Sequence, residues 1–245
     1  MVKPHLVIRC RPVSSTRLFF LWKLTGCSAA IIKSTKIIKL ASTQDKAVVL
    51  VHDELLCFFS SYYTAALKGE FLEAQKDQFE VDLLGEQLQD SVTWIYTGKS
   101  TRLENWNRYI HLYIFADQVD IMALRRDILR WFSKSADTLP NYEDVRLMLK
   151  NVTQQSELYK WMLDSHMAHW EPHDDEHDPC LLDNVMDPDN LMANFIYQVM
   201  KGIAVRDNAR DLNNLSDCSC CNKICEYHEH ESKEEWEASK LTQSV

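Results

Sequence analysis

Two short β-branched runs precede a long series of helical periodicities, and this order determines the fold class that the sequence predicts. Residues 37–40 and 47–51 flank STQDK and indicate a β-hairpin. Phe79, Val81 and Leu83 alternate with acidic residues, which is typical of a half-buried strand. The other periodic segments are helical. Strands followed by helices predict an α+β domain in which helices pack on a small sheet.

Polar and glycine residues mark the expected helix ends. Asp53 stands where an N-cap is expected, and Gly69 is placed to end the first helix. Gly98 closes a helix that begins near Gln87. The chain from Arg206 onward is polar, and we expect it to be extended or ordered by a metal. Apolar spacing predicts further helices at residues 104–118, 124–131, 142–149, 157–170 and 189–205.

Charge divides the chain unevenly. Residues 1–44 contain no acidic residue and carry +8, so the remainder carries −17, because the net charge is −9. An acidic body repels phosphates, which argues against direct nucleic-acid binding. The basic start fits a basic extension without stable structure, which we favour, a mitochondrial transit peptide or a misassigned gene start.

Hydropathy and cysteine placement bear on the compartment. No stretch approaches the roughly 20 apolar residues that a membrane span needs, so we expect no membrane partner. The chain also lacks the pattern of a secretory signal, and we therefore expect a cytoplasmic or nuclear protein. In such a reducing compartment the eight cysteines are thiols or metal ligands instead of a disulfide framework.

Several short motifs follow one another in a characteristic order. They are VHDELLC at 51–57, GEFLEAQ at 69–75, WIYTG at 94–98 and LYIFADQVD at 112–120. Their order and spacing resemble the BTB/POZ family in the form common among fungal proteins, over about residues 34–132. The helical segments at 138–151 and 159–170, and CEYHEHES at 225–232, are similar to the tails of those proteins. The passage from Leu83 to Trp94 is shorter than the family usually has, which suggests a truncated helix.

The resemblance implies a domain organisation and a function. It divides the chain into a basic extension (1–30), a BTB/POZ domain (31–132), an all-helical extension (133–205) and a Cys/His-rich tail (206–245). Members often form homodimers through the N-terminal strand and first helix. Some recruit partners to a cullin-type ubiquitin ligase. A structural oligomerisation subunit or transcription-associated scaffold is the alternative, and a decayed or misannotated paralogue is a third.

Four residues near the first large helix are candidates for contacts between proteins. The resemblance places His52 and Asp53 at the helix start, near the usual dimer and partner surfaces. For His52, a core or capping role is the stronger interpretation. Phe58 and Tyr62 belong to a dense aromatic stripe, most of which we expect in the core, with one or two members exposed at an interface.

Two clusters have residue types that bind metals. Thiolates and imidazoles suit tetrahedral zinc, and Cys218, Cys221, Cys225 and His228 are one feasible structural set. A disordered or redox-active thiol tail is the alternative, ahead of a catalytic metal. A second cluster could hold a hydrated divalent cation among acidic residues, although a solvated loop explains it better. Its histidines are His166, His169, His173 and His177.

No catalytic constellation appears in the sequence. The chain has no phosphate-cradling glycine loop, no GxSxG elbow and no HExxH motif. Its five glycines argue against nucleotide-binding loops. We therefore expect an interaction protein that is not an enzyme and has no cofactor other than a structural zinc ion.

Overall fold

The computed structural model describes seven segments of the chain. These are residues 36–70, 75–99, 105–135, 138–171, 190–209, 219–222 and 226–227. The basic extension predicted at residues 1–30 lies outside them, as does most of the Cys/His-rich tail.

A three-stranded mixed sheet forms the first layer. Strand β1 (Ile37–Ser42) pairs antiparallel with β2 (Val48–His52), which confirms the predicted hairpin. Strand β3 (Gln78–Val81) pairs parallel with β1, so the order is β2-β1-β3. Phe79 and Val81 point inward, as their alternation predicts, whereas Leu83 is buried just beyond the strand.

The other regular elements among the described residues are helices. The fold is therefore α+β, as predicted. Eight helices have seven residues or more, and one short helix follows. They are α1 (Asp53–Phe59), α2 (Ser61–Lys68), α3 (Gly85–Thr97), α4 (Trp106–Gln118), α5 (Met122–Lys134), α6 (Tyr142–Asn151), α7 (Glu157–His169), α8 (Leu191–Ala209) and α9 (Ser219–Asn222).

Some helix ends differ from the predictions. His52, not Asp53, occupies the N-cap position of α1, because Asp53 already begins the helix and its carboxylate accepts from the Glu54 amide at 2.7 Å. The single helix predicted from Asp53 to Gly69 was wrong, because extended backbone at Ser60 divides it into α1 and α2. Gly69 ends α2 and Gly98 ends α3, and Gly98 uses the left-handed conformation that favours glycine. Helix α3 begins at Gly85, two residues before the predicted start near Gln87. The prediction of extended or metal-ordered chain from Arg206 was wrong for residues 206–209, because α8 continues to Ala209.

The core runs without interruption from the sheet into the later helices. Trp161 of α7 packs against Trp106 of α4, with ring centroids 5.8 Å apart, and against Phe132 of α5 at 5.1 Å. Trp161 and Phe132 are fully buried. Helices α6 and α7 therefore share their apolar core with the segment that carries the BTB-like motifs.

The hairpin turn supports the start of α3. Asp45 accepts hydrogen bonds from the Gly85 amide at 2.7 Å and from the Ala47 amide at 3.1 Å. Gly85 permits this contact, because a Cβ atom there would lie 2.4 Å from the Cβ of Ala47. The bond from Gly85, followed by bonds from Ser42 and Ala47, holds the pKa of the Asp45 carboxyl below its ordinary value.

The lowered pKa of Asp45 gives an acid dependence of stability. A carboxyl whose pKa is lower in the folded state stabilises the fold above its unfolded pKa, and this contribution disappears as the pH falls through the folded pKa. We expect the urea midpoint of the wild type to fall more steeply below about pH 4 than that of Asp45→Asn. Asp82→Asn is the control, because it changes a nearby carboxylate that accepts from the Gln44 side chain at 3.0 Å. Parallel midpoint curves for the wild type and Asp45→Asn would contradict the prediction.

Candidate functional site

Three metal-binding side chains converge where the tail meets α7. The Nε2 atom of His169 lies 3.3 Å from the Sγ of Cys220 and 3.1 Å from the Sγ of Cys221. The two sulfur atoms lie 3.9 Å apart. Cys220 is fully buried, while His169 and Cys221 are half-buried. This cluster is the one group of three or more potential ligands within the described part of the chain.

Helices α7 and α9 bring these side chains together. His169 is the last residue of α7, and both cysteines belong to the single turn α9. The indole Nε1 of Trp161 donates to the Cys220 carbonyl at 3.2 Å. The hydroxyl of Tyr227 donates to the Asp164 carboxylate at 2.6 Å. Two points on α7 thus hold the tail, one at Cys220 itself and one at Tyr227, beyond the two cysteines.

The two cysteines of the cluster differ in oxidation state. Cys220 is disulfide-bonded, so the expectation that every cysteine is a thiol or a metal ligand was wrong for this residue. Cys221 carries a thiol. A disulfide sulfur cannot serve as a thiolate ligand, so metal binding by all three residues requires the reduced chain.

The cluster combines residues from the two metal-binding patterns found in the sequence. Cys221 belongs to the predicted zinc set, and His169 belongs to the histidine cluster. His166 is in the core instead, with its Nδ1 atom 2.8 Å from the Met162 carbonyl oxygen. The other predicted ligands lie outside the described residues, namely Cys218, Cys225, His228, His173 and His177.

Sequence spacing could not have joined His169 to the cysteines. Fifty-one positions separate His169 from Cys220, so their contact depends on the tail folding back onto α7. The cysteine and histidine patterns identify suitable residue types. Which histidine meets which cysteines depends on the tertiary structure, and the patterns do not predict it. Cys220 was the member that the predicted set left out.

A second candidate site lies at the bend between α1 and α2. Phe58 and Tyr62 expose 39% and 47% of their surface, whereas their neighbour Tyr63 is buried. Beside Phe58 is an open groove of about 500 Å³. Its lining comes from the α1–α2 bend, including Cys57 and Ala65, and from the start of α5, including Met122. Phe58 belongs to the lining of the groove, whereas Tyr62 does not.

The two other predicted contact residues lie at the start of α1. The Nδ1 atom of His52 lies 2.6 Å from the Tyr96 hydroxyl, and the His52 amide donates to the same oxygen at 3.2 Å. Both His52 and Asp53 are half-buried. These bonds join the end of β2 to α3, which gives His52 a structural role at the position where contacts were predicted.

The groove has little chemical reactivity of its own. Burial raises the pKa of the Cys57 thiol, with nearby carboxylates adding to the effect. A thiol with a raised pKa is protonated at neutral pH and is a poor nucleophile. Its sulfur lies 3.7 Å from the Tyr63 carbonyl oxygen. The groove is therefore better suited to apolar contact than to covalent catalysis.

Comparisons with known protein families and with curated proteins find no match for this chain. The likeness to the BTB/POZ family stays a prediction from the sequence motifs. Within the described segments, no helix is both long and apolar enough to span a membrane.

Proposed function

We propose that this protein is an interaction module that self-associates through the surface around Phe58 and Tyr62. The observation that carries the proposal is the exposure of these two rings at the end of α1 and the start of α2. Large aromatic side chains contribute strongly to protein interfaces, because they bury much apolar surface with few rotatable bonds. Their position on the first helices is where the BTB/POZ resemblance implies a dimer contact.

The outer face of the sheet supports the same proposal. Ile37 on β1 and Val48 and Leu50 on β2 are each about half exposed. They alternate with inward residues, so they lie on the face of the hairpin turned away from the core. An exposed apolar sheet face with an edge strand is a common site of association between chains.

The finer proposal is that the dimer is an adaptor that brings partners to a cullin-type ubiquitin ligase. The motif resemblance implies this use, and the groove beside Phe58 offers an apolar site for a partner. Helices α6 to α8 offer a further surface for a second protein. The alternative is a structural oligomerisation or transcription-associated scaffold without a ligase role. We propose no catalytic activity and no direct contact with nucleic acid in either case, and a cytoplasmic or nuclear location.

Phe58→Asp/Tyr62→Asp tests self-association. We expect the wild type to have twice the 28.6 kDa mass of one chain in sedimentation or light scattering, and the double variant to have the mass of one chain. Two buried carboxylates without partners would oppose association strongly. Tyr197→Asp/Met200→Asp alters two large side chains on α8 that are even more exposed, and it is the control. A monomeric wild type, or a double variant that remains dimeric, would contradict the proposal.

The same proteins distinguish the adaptor from the scaffold. Tagged wild type and both double variants are purified from cells, and retained proteins are identified by mass spectrometry. Stoichiometric cullin on the wild type and the α8 control supports the adaptor. A stable dimer that retains no cullin supports the scaffold.

A further inference from the structure

We propose that the reduced protein binds one Zn²⁺ ion through His169, Cys220 and Cys221, and that this ion fastens the C-terminal tail to α7. The site is separate from the aromatic surface at Phe58 and does not depend on the proposed self-association. Its ligand set also differs from the one that local cysteine spacing predicts.

The distances fit a single tetrahedral ion. With Zn–S bonds of about 2.3 Å and Zn–N bonds of about 2.0–2.1 Å, tetrahedral angles place two sulfurs about 3.8 Å apart, and a sulfur and a nitrogen about 3.5 Å apart. The corresponding distances are 3.9 Å between the sulfurs, and 3.3 and 3.1 Å from sulfur to nitrogen. All three pairs therefore lie within half an ångström of the edges of one coordination tetrahedron.

The chemistry of the ligands selects the metal. Two thiolates and one imidazole suit zinc, whereas calcium and magnesium prefer oxygen ligands. Two thiolates carry two negative charges, which a divalent ion at the centre of the cluster would balance.

The surroundings hold the ligands in place. The bond from the Trp161 indole to the Cys220 carbonyl fixes the backbone of one ligand. The bond between Tyr227 and Asp164 fixes the tail again beyond the two cysteines. Hydrogen bonds of this kind, one step removed from the metal, position ligands and raise metal affinity. The site is therefore built at the C-terminal end of α7, although its cysteines come from a distant segment.

Zinc binding is measured on the full-length chain. The protein is reduced with a phosphine, which converts the Cys220 disulfide to thiols and is itself oxidised to the phosphine oxide by water oxygen. After chelator treatment it is titrated with Zn²⁺ against a chromophoric chelator. We expect about one equivalent of zinc per chain. Because residues that only support ligands change metal affinity by 10–100-fold, we expect His169→Ala and Cys221→Ser each to weaken binding by at least about 100-fold.

Two control variants keep the test specific. Cys57→Ser removes a thiol and His111→Gln removes an imidazole, and both residues lie outside the cluster. These variants should bind zinc as the wild type does. Wild-type protein with less than about a tenth of an equivalent of zinc, or wild-type affinity in His169→Ala and Cys221→Ser, would overturn the proposal.

Cobalt substitution gives a second readout that needs no variant. Co²⁺ in the wild-type site should show the visible bands of tetrahedral coordination and a thiolate-to-cobalt charge-transfer band. An octahedral spectrum without thiolate charge transfer would overturn the proposal. This measurement stands even if a ligand variant fails to fold.

Discussion

Trp161→Ala is expected to lower the free energy of unfolding by about 3–5 kcal/mol, the usual cost of truncating a buried Trp. The indole is fully buried and packs against Trp106 and Phe132. The substitution also removes the donor to the Cys220 carbonyl, at a further cost of about 1 kcal/mol. Since domains of this kind are typically stable by about 5–15 kcal/mol, the loss is a large fraction of the total. Urea unfolding followed by far-ultraviolet circular dichroism measures it.

Trp161→Phe separates packing from hydrogen bonding. It keeps an aromatic ring in the core but loses the indole N–H, so we expect it to cost less than Trp161→Ala. In both variants we expect faster proteolysis of the tail, because the Cys220 carbonyl has lost its donor. A change of less than about 1 kcal/mol in Trp161→Ala would show that this residue does not join the two parts of the core.

Trp94→Ala should have an effect of similar size at the opposite end of the core, about 3–5 kcal/mol. Trp94 is buried, and its ring centroid lies 5.2 Å from that of Phe59. Its Nε1 atom donates to the Asp127 carboxylate at 3.1 Å, which links α3 to α5. The same denaturation experiment measures the loss, and Trp94→Phe is the matched control.

The two tryptophan variants together test whether the chain unfolds as one unit. The buried residues form one continuous cluster from the sheet to α8 and the tail. Each substitution should therefore move a single transition to lower urea concentration without splitting it. A second transition in either variant would mean that the BTB-like segment and the helical extension unfold separately.

Local patterns predicted the elements of the fold better than their ends. The hairpin, β3 and the helices α3 to α7 follow from alternation, helical spacing and the glycine at 98. The one helix predicted from Asp53 to Gly69 is instead divided at Ser60 into α1 and α2. The N-cap of α1 was displaced by one residue, because His52 is held by Tyr96, which is distant in sequence. Helix α8 extends past Val205 because local polarity does not end a helix that has already formed.

Sequence patterns reached the candidate sites only in part. Phe58 and Tyr62 were expected among the aromatic residues of the stripe, and both are exposed, but their exposure depends on the bend at Ser60. The residue types of the metal cluster were identified, yet its members were assigned to two separate sites. The contact of His169 with Cys220 and Cys221 arises from the tertiary structure. Neither the spacing of the cysteines nor that of the histidines predicts it.

The central position of β1 has a consequence for the order of folding. Its partner β2 follows after a short turn, so the hairpin closes on a microsecond timescale. Its other partner, β3, pairs across a separation of 39 residues, from Lys39 to Gln78. That pairing has to overcome the entropy of closing a long loop, which contains α1 and α2. During synthesis, the edge of β1 that pairs with β3 therefore stays unpaired until β3 has left the ribosome. We expect this edge to be the part of the sheet most prone to aggregation or chaperone binding.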